Sequence, residues 1–299
     1  MSTSQGFIDP KTYPPTQITT TDGVINILQL TDPHLYLDSD TETVGINNYQ
    51  SFTACLQQAL EEDIRCDLIL LSGDLVNEVK PEIYQNIYQL LEKTGIPFVC
   101  IAGNHDVTDE LDTHLPFSER RFEAHKPSVL LLSRHCLTLN DWRLLLIDSS
   151  VPGKIYGAVG NKNLNWLSQN VANSHHPVII AMHHHVLPID SAWMDDHITQ
   201  DAEVFWHLIE DKPSVKAVVT GHVHQKFEAQ RAGVKVYATP STCYQFKPKS
   251  DNFAFDDQAA PGYRWLSLNK QGVIQSWCTT LENKKALKPF NLSCVIPHL

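Results

Sequence analysis

Asp67-Leu68-Ile69-Leu70-Leu71-Ser72-Gly73-Asp74 is a continuous apolar run that breaks on a glycine and a carboxylate. An apolar run without polar alternation reads as a strand buried on both faces. Such strands belong to sheets covered by helices, so this stretch sets the fold class as α/β. Four further segments repeat the pattern. Residues 24–30 run into Thr31-Asp32-Pro33-His34, and residues 97–101 run into Gly103-Asn104-His105-Asp106. Residues 178–182 end in His183-His184-His185, and residues 215–219 end in Gly221-His222-Val223-His224. Residues 142–148 read as another strand of the same kind.

Helical patterns lie between these runs. In residues 50–63, Phe52, Leu56 and Leu60 recur every four residues and Ala59 widens the stripe. Residues 81–93 open on Pro81, a favoured first helical residue, and stop before Gly95. Residues 161–173 and 199–211 read as two more helices. Towards the C-terminus, residues 226–238, 263–268 and 273–279 resemble hairpin strands, with turns at Ala232-Gly233 and Lys270-Gln271-Gly272. The sum is a layered α/β protein with mixed sheets. No linker splits the chain. The expected organisation is a polar, irregular arm over 1–23, one domain over 24–280 and a tail over 281–299.

The 299 residues carry a net charge of -11 and are 42% hydrophobic. That balance argues against nucleic acid and anionic membrane surfaces as partners. It leaves room for a small anionic substrate if bound metal reverses the local sign. The seven cysteines are odd in number and form no C-x-x-C pair, so they read as reduced thiols in a reducing compartment. The first residues have neither a basic nor an apolar signal region, and no stretch approaches the roughly 20 apolar residues of a membrane span. The expected location is the cytoplasm.

The polar clusters are where chemistry concentrates. Ligands of open α/β sheets bind beyond the carboxyl ends of strands, so these clusters should meet along one edge. In Asp32-Pro33-His34, residues i and i+2 of an extended chain point to one side, and Pro33 biases Asp32 towards that conformation. A turn is the other reading of Asp-Pro. Gly73 permits a sharp exit, after which Asp74 can offer one oxygen to each of two cations, or simply cap a helix. Asn104 supplies an amide oxygen for a hard metal. His105 is then free to donate to a phosphate, with Asp106 available to hold its imidazole. In the 183–185 triplet, one histidine suits a ligand and one a supporting position. His222 and His224 repeat the i, i+2 geometry, with Val223 facing the core. Mixed nitrogen and oxygen donors suit manganese, iron or zinc better than calcium or copper. No cysteine lies in any cluster, which excludes a structural thiolate zinc site there.

Together these motifs, in this order, resemble the calcineurin-like metallophosphoesterases. Leu28-Gln29-Leu30-Thr31-Asp32, residues 143–149, and Pro240-Ser241-Thr242-Cys243-Tyr244-Gln245-Phe246-Lys247-Pro248 resemble more narrowly the class III bacterial 3',5'-cyclic-AMP phosphodiesterases. The resemblance spans roughly residues 24–280. It implies a four-layer α/β/β/α sandwich, the metallophosphoesterase fold, with mixed sheets. It implies that Asp32, His34, Asp74 and His224 hold a first metal and that Asp74, Asn104, His183 and His222 hold a second, Asp74 bridging. Among the triplet it favours His183, with His184 as the competitor. His105 becomes the catalytic histidine, with Asp74 and Asp106 beside it, and His34, Asn104, His105, His183 and His224 face the substrate. The implied cofactors are two manganese or iron ions, with zinc possible. The implied reaction opens cyclic AMP to 5'-AMP through a hydroxide bridging the metals, and the family analogy suggests a homodimer. Glycerophosphodiesters, 2',3'-cyclic nucleotides and phosphomonoesters are the competing substrates. A non-enzymatic scaffold on the same fold is the remote alternative, since such proteins usually lack these ligands.

Overall fold

The computed structural model describes residues 17–107, 130–132, 135–172 and 174–282. In chain order the strands are β1 (Gln17–Ile18), β2 (Ile25–Leu30), β3 (Glu42–Thr43), β4 (Ile46–Asn47), β5 (Leu68–Ser72), β6 (Phe98–Ile101) and β7 (Cys136–Leu139). They continue with β8 (Trp142–Leu146), β9 (Val178–Ala181), β10 (Val215–Thr220), β11 (Phe227–Arg231), β12 (Val234–Ala238), β13 (Gly262–Leu268) and β14 (Ile274–Thr280). The helices among the described residues are α1 (Asn48–Glu61), α2 (Pro81–Glu92), α3 (Gly160–Val171), α4 (Ala192–Asp195) and α5 (Ala202–Ile209).

Two sheets stack. One has the order β14-β13-β2-β5-β6, the other β1-β7-β8-β9-β10-β12-β11. The apolar runs form the parallel centres: β2, β5 and β6 in the first, β8, β9, β10 and β12 in the second. The hairpin strands β11, β13 and β14 add antiparallel pairs.

Strand alternation assigns each side chain to a layer. On β5, Leu68 and Leu70 point between the sheets, while Ile69 and Leu71 point at α1 and α2. On β9, Ile179 and Ala181 face the same inter-sheet core, while Val178 and Ile180 pack with Leu164 and Leu167 of α3 and Phe205 and Trp206 of α5. Helices therefore cover both outer faces of a double sheet. This is the expected four-layer sandwich, and it explains why these strands are apolar on both sides.

Two local differences have physical causes, and one expected turn shows its geometry. The arm is not wholly irregular: Gln17–Ile18 pairs in parallel with Thr138–Leu139, and Asn140 ties it down through Thr20. α5 starts at Ala202 rather than 199 because Asp201 spends its carboxylate on the backbone N–H groups of Val159 and Gly160, at the start of α3. The Ala232-Gly233 turn is a two-residue hairpin with both φ positive, 49° and 84°. The six described cysteines are free, Cys55, Cys100 and Cys243 being buried, while Cys294 lies outside the described residues. No helix among the described residues is long and apolar enough to cross a membrane.

Candidate metal centre

Every cluster named from the sequence reaches one place. Asp32, Asp74 and Asn104 follow β2, β5 and β6 of one sheet; His183 and His222 follow β9 and β10 of the other. Backbone bonds stitch the exits together. Asp32 N–H donates to the Gly73 carbonyl, His34 N–H to the Asp74 carbonyl, and Gly221 N–H to the His183 carbonyl, at 3.1, 3.1 and 3.0 Å.

The convergence does not come from strand alternation, contrary to the i, i+2 expectation. Asp32, His34, Asp74, His222 and His224 have φ of 52°, 46°, 50°, 69° and 46°, all left-handed. Pro33 therefore does not hold Asp32 extended; the chain folds back sharply at each strand end. Such conformations cost of order 1–3 kcal/mol each for residues other than glycine and concentrate where function requires them. Two glycines make the close packing possible. A Cβ at Gly103 would overlap the Asp74 carboxylate, and one at Gly221 would overlap Thr31 Oγ1 and stand 2.7 Å from Asp32 Oδ2.

The donor atoms converge without satisfying one another. His34 Nε2 and His224 Nε2 face each other at 3.1 Å, and His224 Nε2 lies 3.2 Å from Asp32 Oδ1. Asp74 Oδ2 sits between His183 Nε2 at 3.4 Å and His34 Nε2 at 3.7 Å, the position of a bridging oxygen. Carbonyl partners fix two tautomers. His183 Nδ1–H donates to the Ser72 carbonyl and His224 Nδ1–H to the Tyr244 carbonyl, both at 2.8 Å, so in each ring Nε2 is the nitrogen turned towards the centre. Asn104 Oδ1, His183 Nε2 and His222 Nε2 are buried without a hydrogen-bond partner. Buried orphans of this kind are costly, and cations lying among them would satisfy all of them. The residues present fit metal ions.

Electrostatics agree. Burial works against ionised Asp74, but His183 and His105 hold its carboxyl well below the usual range; His224 and His183 do the same, less strongly, for Asp32. Burial alone would lower His183, yet Asp74 and Asp32 push it up to about 9. Burial lowers His34 to about 3 and lowers His184 and His222 strongly, so these rings are neutral.

The triplet separates into three roles. His184 Nδ1 is engaged by Ser149 Oγ at 2.8 Å and His184 Nε2 by the Ile155 carbonyl at 3.0 Å, so both of its nitrogens are taken. His185 lies 3.7 Å from Asp195 and stacks on His222. Only His183 turns a free nitrogen to the carboxylates. Val223 is fully buried, as expected.

Asp106 requires a correction. Its Oδ2 accepts from Gly103 N–H at 2.9 Å and Leu75 N–H at 3.2 Å, and its Oδ1 accepts from Tyr84 Oη at 2.8 Å. The carboxylate is spent clamping the loops after β5 and β6 together, not on the His105 imidazole. Burial and the Asp74 charge push it up to about 6. His105 instead anchors through its backbone, N–H to Asp74 Oδ1 at 2.8 Å, and its ring meets His34 edge-on at 4.7 Å.

The centre opens into a cavity of about 520 Å³ lined by His34, Asp74, Asn104, His105, His222 and His224. Trp193, Tyr244, Phe246, Phe253 and Phe255 also line it, with Tyr244 and Phe246 packed against His224. Of these only Tyr244 and Phe246 fell in a stretch singled out from the sequence. Phe253-Ala254-Phe255 lies in a polar loop and Trp193 on a four-residue helix, where no periodicity marks a function.

The family model for calcineurin-like phosphoesterases matches residues 25–226, which contain all of these converging Asp, Asn and His residues. The chain belongs to that family. Among relatives of this phosphoesterase, a Psychrobacter sp. (strain PRwf-1) protein named a probable cyclic nucleotide phosphodiesterase is 53% identical, covering 91% of each chain. The 3',5'-cyclic adenosine monophosphate phosphodiesterase CpdA of Vibrio vulnificus is 34% identical, over 92% of this chain and 97% of that one. Among solved structures, a dimetal phosphatase from Danio rerio superimposes with a TM-score of 0.58 at 14% identity, covering 87% of the phosphoesterase and 99% of that chain. That likeness carries the fold alone.

Proposed function

We propose that this phosphoesterase hydrolyses 3',5'-cyclic AMP to 5'-AMP. The observation that carries the reading is the buried convergence of unsatisfied nitrogen and oxygen donors at the floor of a cavity, in a chain whose relatives are named for this reaction. Asp32, His34, Asp74 and His224 would hold one metal ion, and Asp74, Asn104, His183 and His222 a second. Manganese and iron suit this mixture of imidazole and carboxylate. When bound, such a pair activates water and neutralises charge on phosphate oxygens.

The chain's own groups do the rest. Carbonyls of Ser72 and Tyr244 hold His183 and His224 in the tautomers that face the centre. Asp106 sets the spacing of the loops that carry Asp74 and His105. His105 stands at the cavity wall, where it donates to the departing 3'-oxygen. One water is consumed: its oxygen bonds phosphorus, the P–O3' bond breaks, and the 3'-oxygen takes a proton. A cyclic nucleotide substrate and the free thiols among the described residues support a cytoplasmic reaction.

The test is an assay of manganese-loaded protein against equimolar 3',5'-cyclic AMP, 2',3'-cyclic AMP and bis(p-nitrophenyl) phosphate, with products separated by chromatography. Preferential formation of 5'-AMP is expected. Turnover of the generic diester without the 3',5'-cyclic nucleotide would keep the chemistry and remove the substrate.

A further inference from the structure

The cavity has two unlike walls, and the metal centre accounts for only one of them. The other is built of aromatic rings. Phe246 lies stacked on His224, centroids 4.3 Å apart and planes at 25°. Trp193 meets Phe246 and Phe253 edge-on, each at 5.0 Å, and Phe253 meets Phe255 at 4.9 Å. Trp193 and Phe246 pack against a small buried cluster of Ile189, Met194, Val223 and Ala238, but Phe253 and Phe255 are not held as core residues are. Phe253 is 56% exposed and Phe255 37%, among the most exposed large apolar side chains described. Contiguous exposed aromatics beside a functional centre mark a binding surface.

The wall is also preorganised. Phe246 and Phe255 form an antiparallel bridge, Lys247 N–H donates to the Ala254 carbonyl, and Asp256 N–H donates to the Gln245 carbonyl, both at 2.9 Å. Ser250 N–H donates to Ser191 Oγ at 3.3 Å, which ties this hairpin to the start of α4 and hence to Trp193. The rings are therefore fixed before any ligand arrives, which lowers the ordering cost of binding. Their continuity with the ligands is direct, because Phe246 packs on His224 itself.

We propose that Trp193, Phe246, Phe253 and Phe255 form the purine-binding wall of the substrate site and set its base selectivity. The proposal rests on the cyclic-nucleotide reading above. In a 3',5'-cyclic nucleotide the phosphate ring is fused to the ribose, so the base stands at a short, fixed reach from phosphorus. A phosphate at the metal floor then delivers the base to the adjoining aromatic wall. Four rings favour a two-ring purine over a pyrimidine, since stacking grows with the π surface covered. Asp196, at the same rim, offers an acceptor for an exocyclic amino group.

The experiment compares Phe253→Ala and Phe253→Trp with the parent protein. Their substrates are 3',5'-cyclic AMP, 3',5'-cyclic UMP and base-free ribose 3',5'-cyclic phosphate. Phe253 is more than half exposed, so the variants keep the fold, and circular dichroism checks this. Losing one stacking partner should raise KM for cyclic AMP about tenfold, within the range of about 1–3 kcal/mol per stacked base. It should shift the base-free substrate less than twofold, and Trp should restore KM. The parent should favour cyclic AMP over cyclic UMP, and Phe253→Ala should narrow that gap. An unchanged KM for cyclic AMP, or equal losses on all three substrates, overturns the wall and leaves the reaction standing. If the parent cleaves bis(p-nitrophenyl) phosphate but none of the three cyclic phosphates, the function reading falls and the wall falls with it.

Discussion

At the residue scale, His105 and Asp106 are neighbours with separable jobs. His105 lines the cavity and hydrogen-bonds the carboxylate network through its backbone N–H, while its ring lies near enough to Asp74 to help hold that carboxyl low. Replacing its ring leaves that bond in place. His105→Ala should therefore lower kcat by about 10²–10⁴ with metal content nearly unchanged, read by assay and by metal analysis of the same preparation. Parallel loss of metal and rate would make the ring structural. Asp106→Ala should do something different. It orphans the buried N–H groups of Gly103 and Leu75, at about 1–3 kcal/mol for an unsatisfied buried group, and removes the bond that Tyr84 Oη donates. A drop in urea midpoint without a selective loss of kcat is expected, and a full-stability protein with dead chemistry would return Asp106 to the catalytic group. The residues that converge were legible in the sequence because Asp, Asn and His stand directly after apolar runs. Their geometry was not. Strand periodicity predicts extended residues at Asp32 and His222, whereas the chain turns left-handed at both, where backbone bonds link neighbouring strand ends.

At the element scale, the two sheets are joined behind the centre by a buried polar chain. Gln29 of β2 donates to Ser72 Oγ of β5 at 2.9 Å and to the Thr220 carbonyl of β10 at 3.0 Å. Thr239 Oγ1 donates to Gln29 Oε1 at 2.7 Å and accepts from Arg264 Nε at 3.1 Å. The fully buried Arg264 then reaches Glu228, Ser276 and the Ala238 carbonyl. The chain fixes the sheets' relative position at the point where Ser72 also accepts from the ligand His183. Gln29→Leu keeps the volume and removes the link, leaving the Thr239 hydroxyl without its acceptor. A loss of about 1–3 kcal/mol is expected, as a lower urea midpoint at constant slope. An unchanged midpoint would mean the polar chain is replaceable by packing. Elements of this kind escape sequence reading, since Gln29 looks like an exposed position inside a strand. The strands themselves were legible, as was the Pro81 helix, because apolar runs and a proline at a helix start act locally. α5 began later than its apolar pattern suggests because Asp201 serves α3, a contact 41 residues away in sequence at Gly160.

At the scale of the whole molecule, the centre that carries the chemistry also sets how stability responds to metal and pH. Without metal, two buried carboxylates are balanced chiefly by a proton on His183, whose pKa Asp74 and Asp32 push up from 6.5 to about 9. The folded state then binds a proton that the unfolded chain, with an ordinary histidine, releases. Stability from this group is complete below pH 6.5 and is lost as pH rises through about 9. His34, His184 and His222 act in the opposite sense. Burial lowers their pKa, so the unfolded chain binds more protons than the folded one as pH falls below 6.5. Chelated protein should thus show a Tm maximum near pH 6.5 and fall on both sides, read by calorimetry from pH 5 to 9.5. Metal loading substitutes a cation for the His183 proton. It should raise Tm, flatten the alkaline limb, and release close to one proton per molecule between pH 6.5 and 9, measured by titration in buffers of different ionisation enthalpy. A chelated protein whose Tm climbs steadily from pH 6.5 to 9 would show that His183 is already neutral without metal. The carboxylates would then need another countercharge, and the assignment of His183 as the ligand facing Asp74 would lose its electrostatic basis.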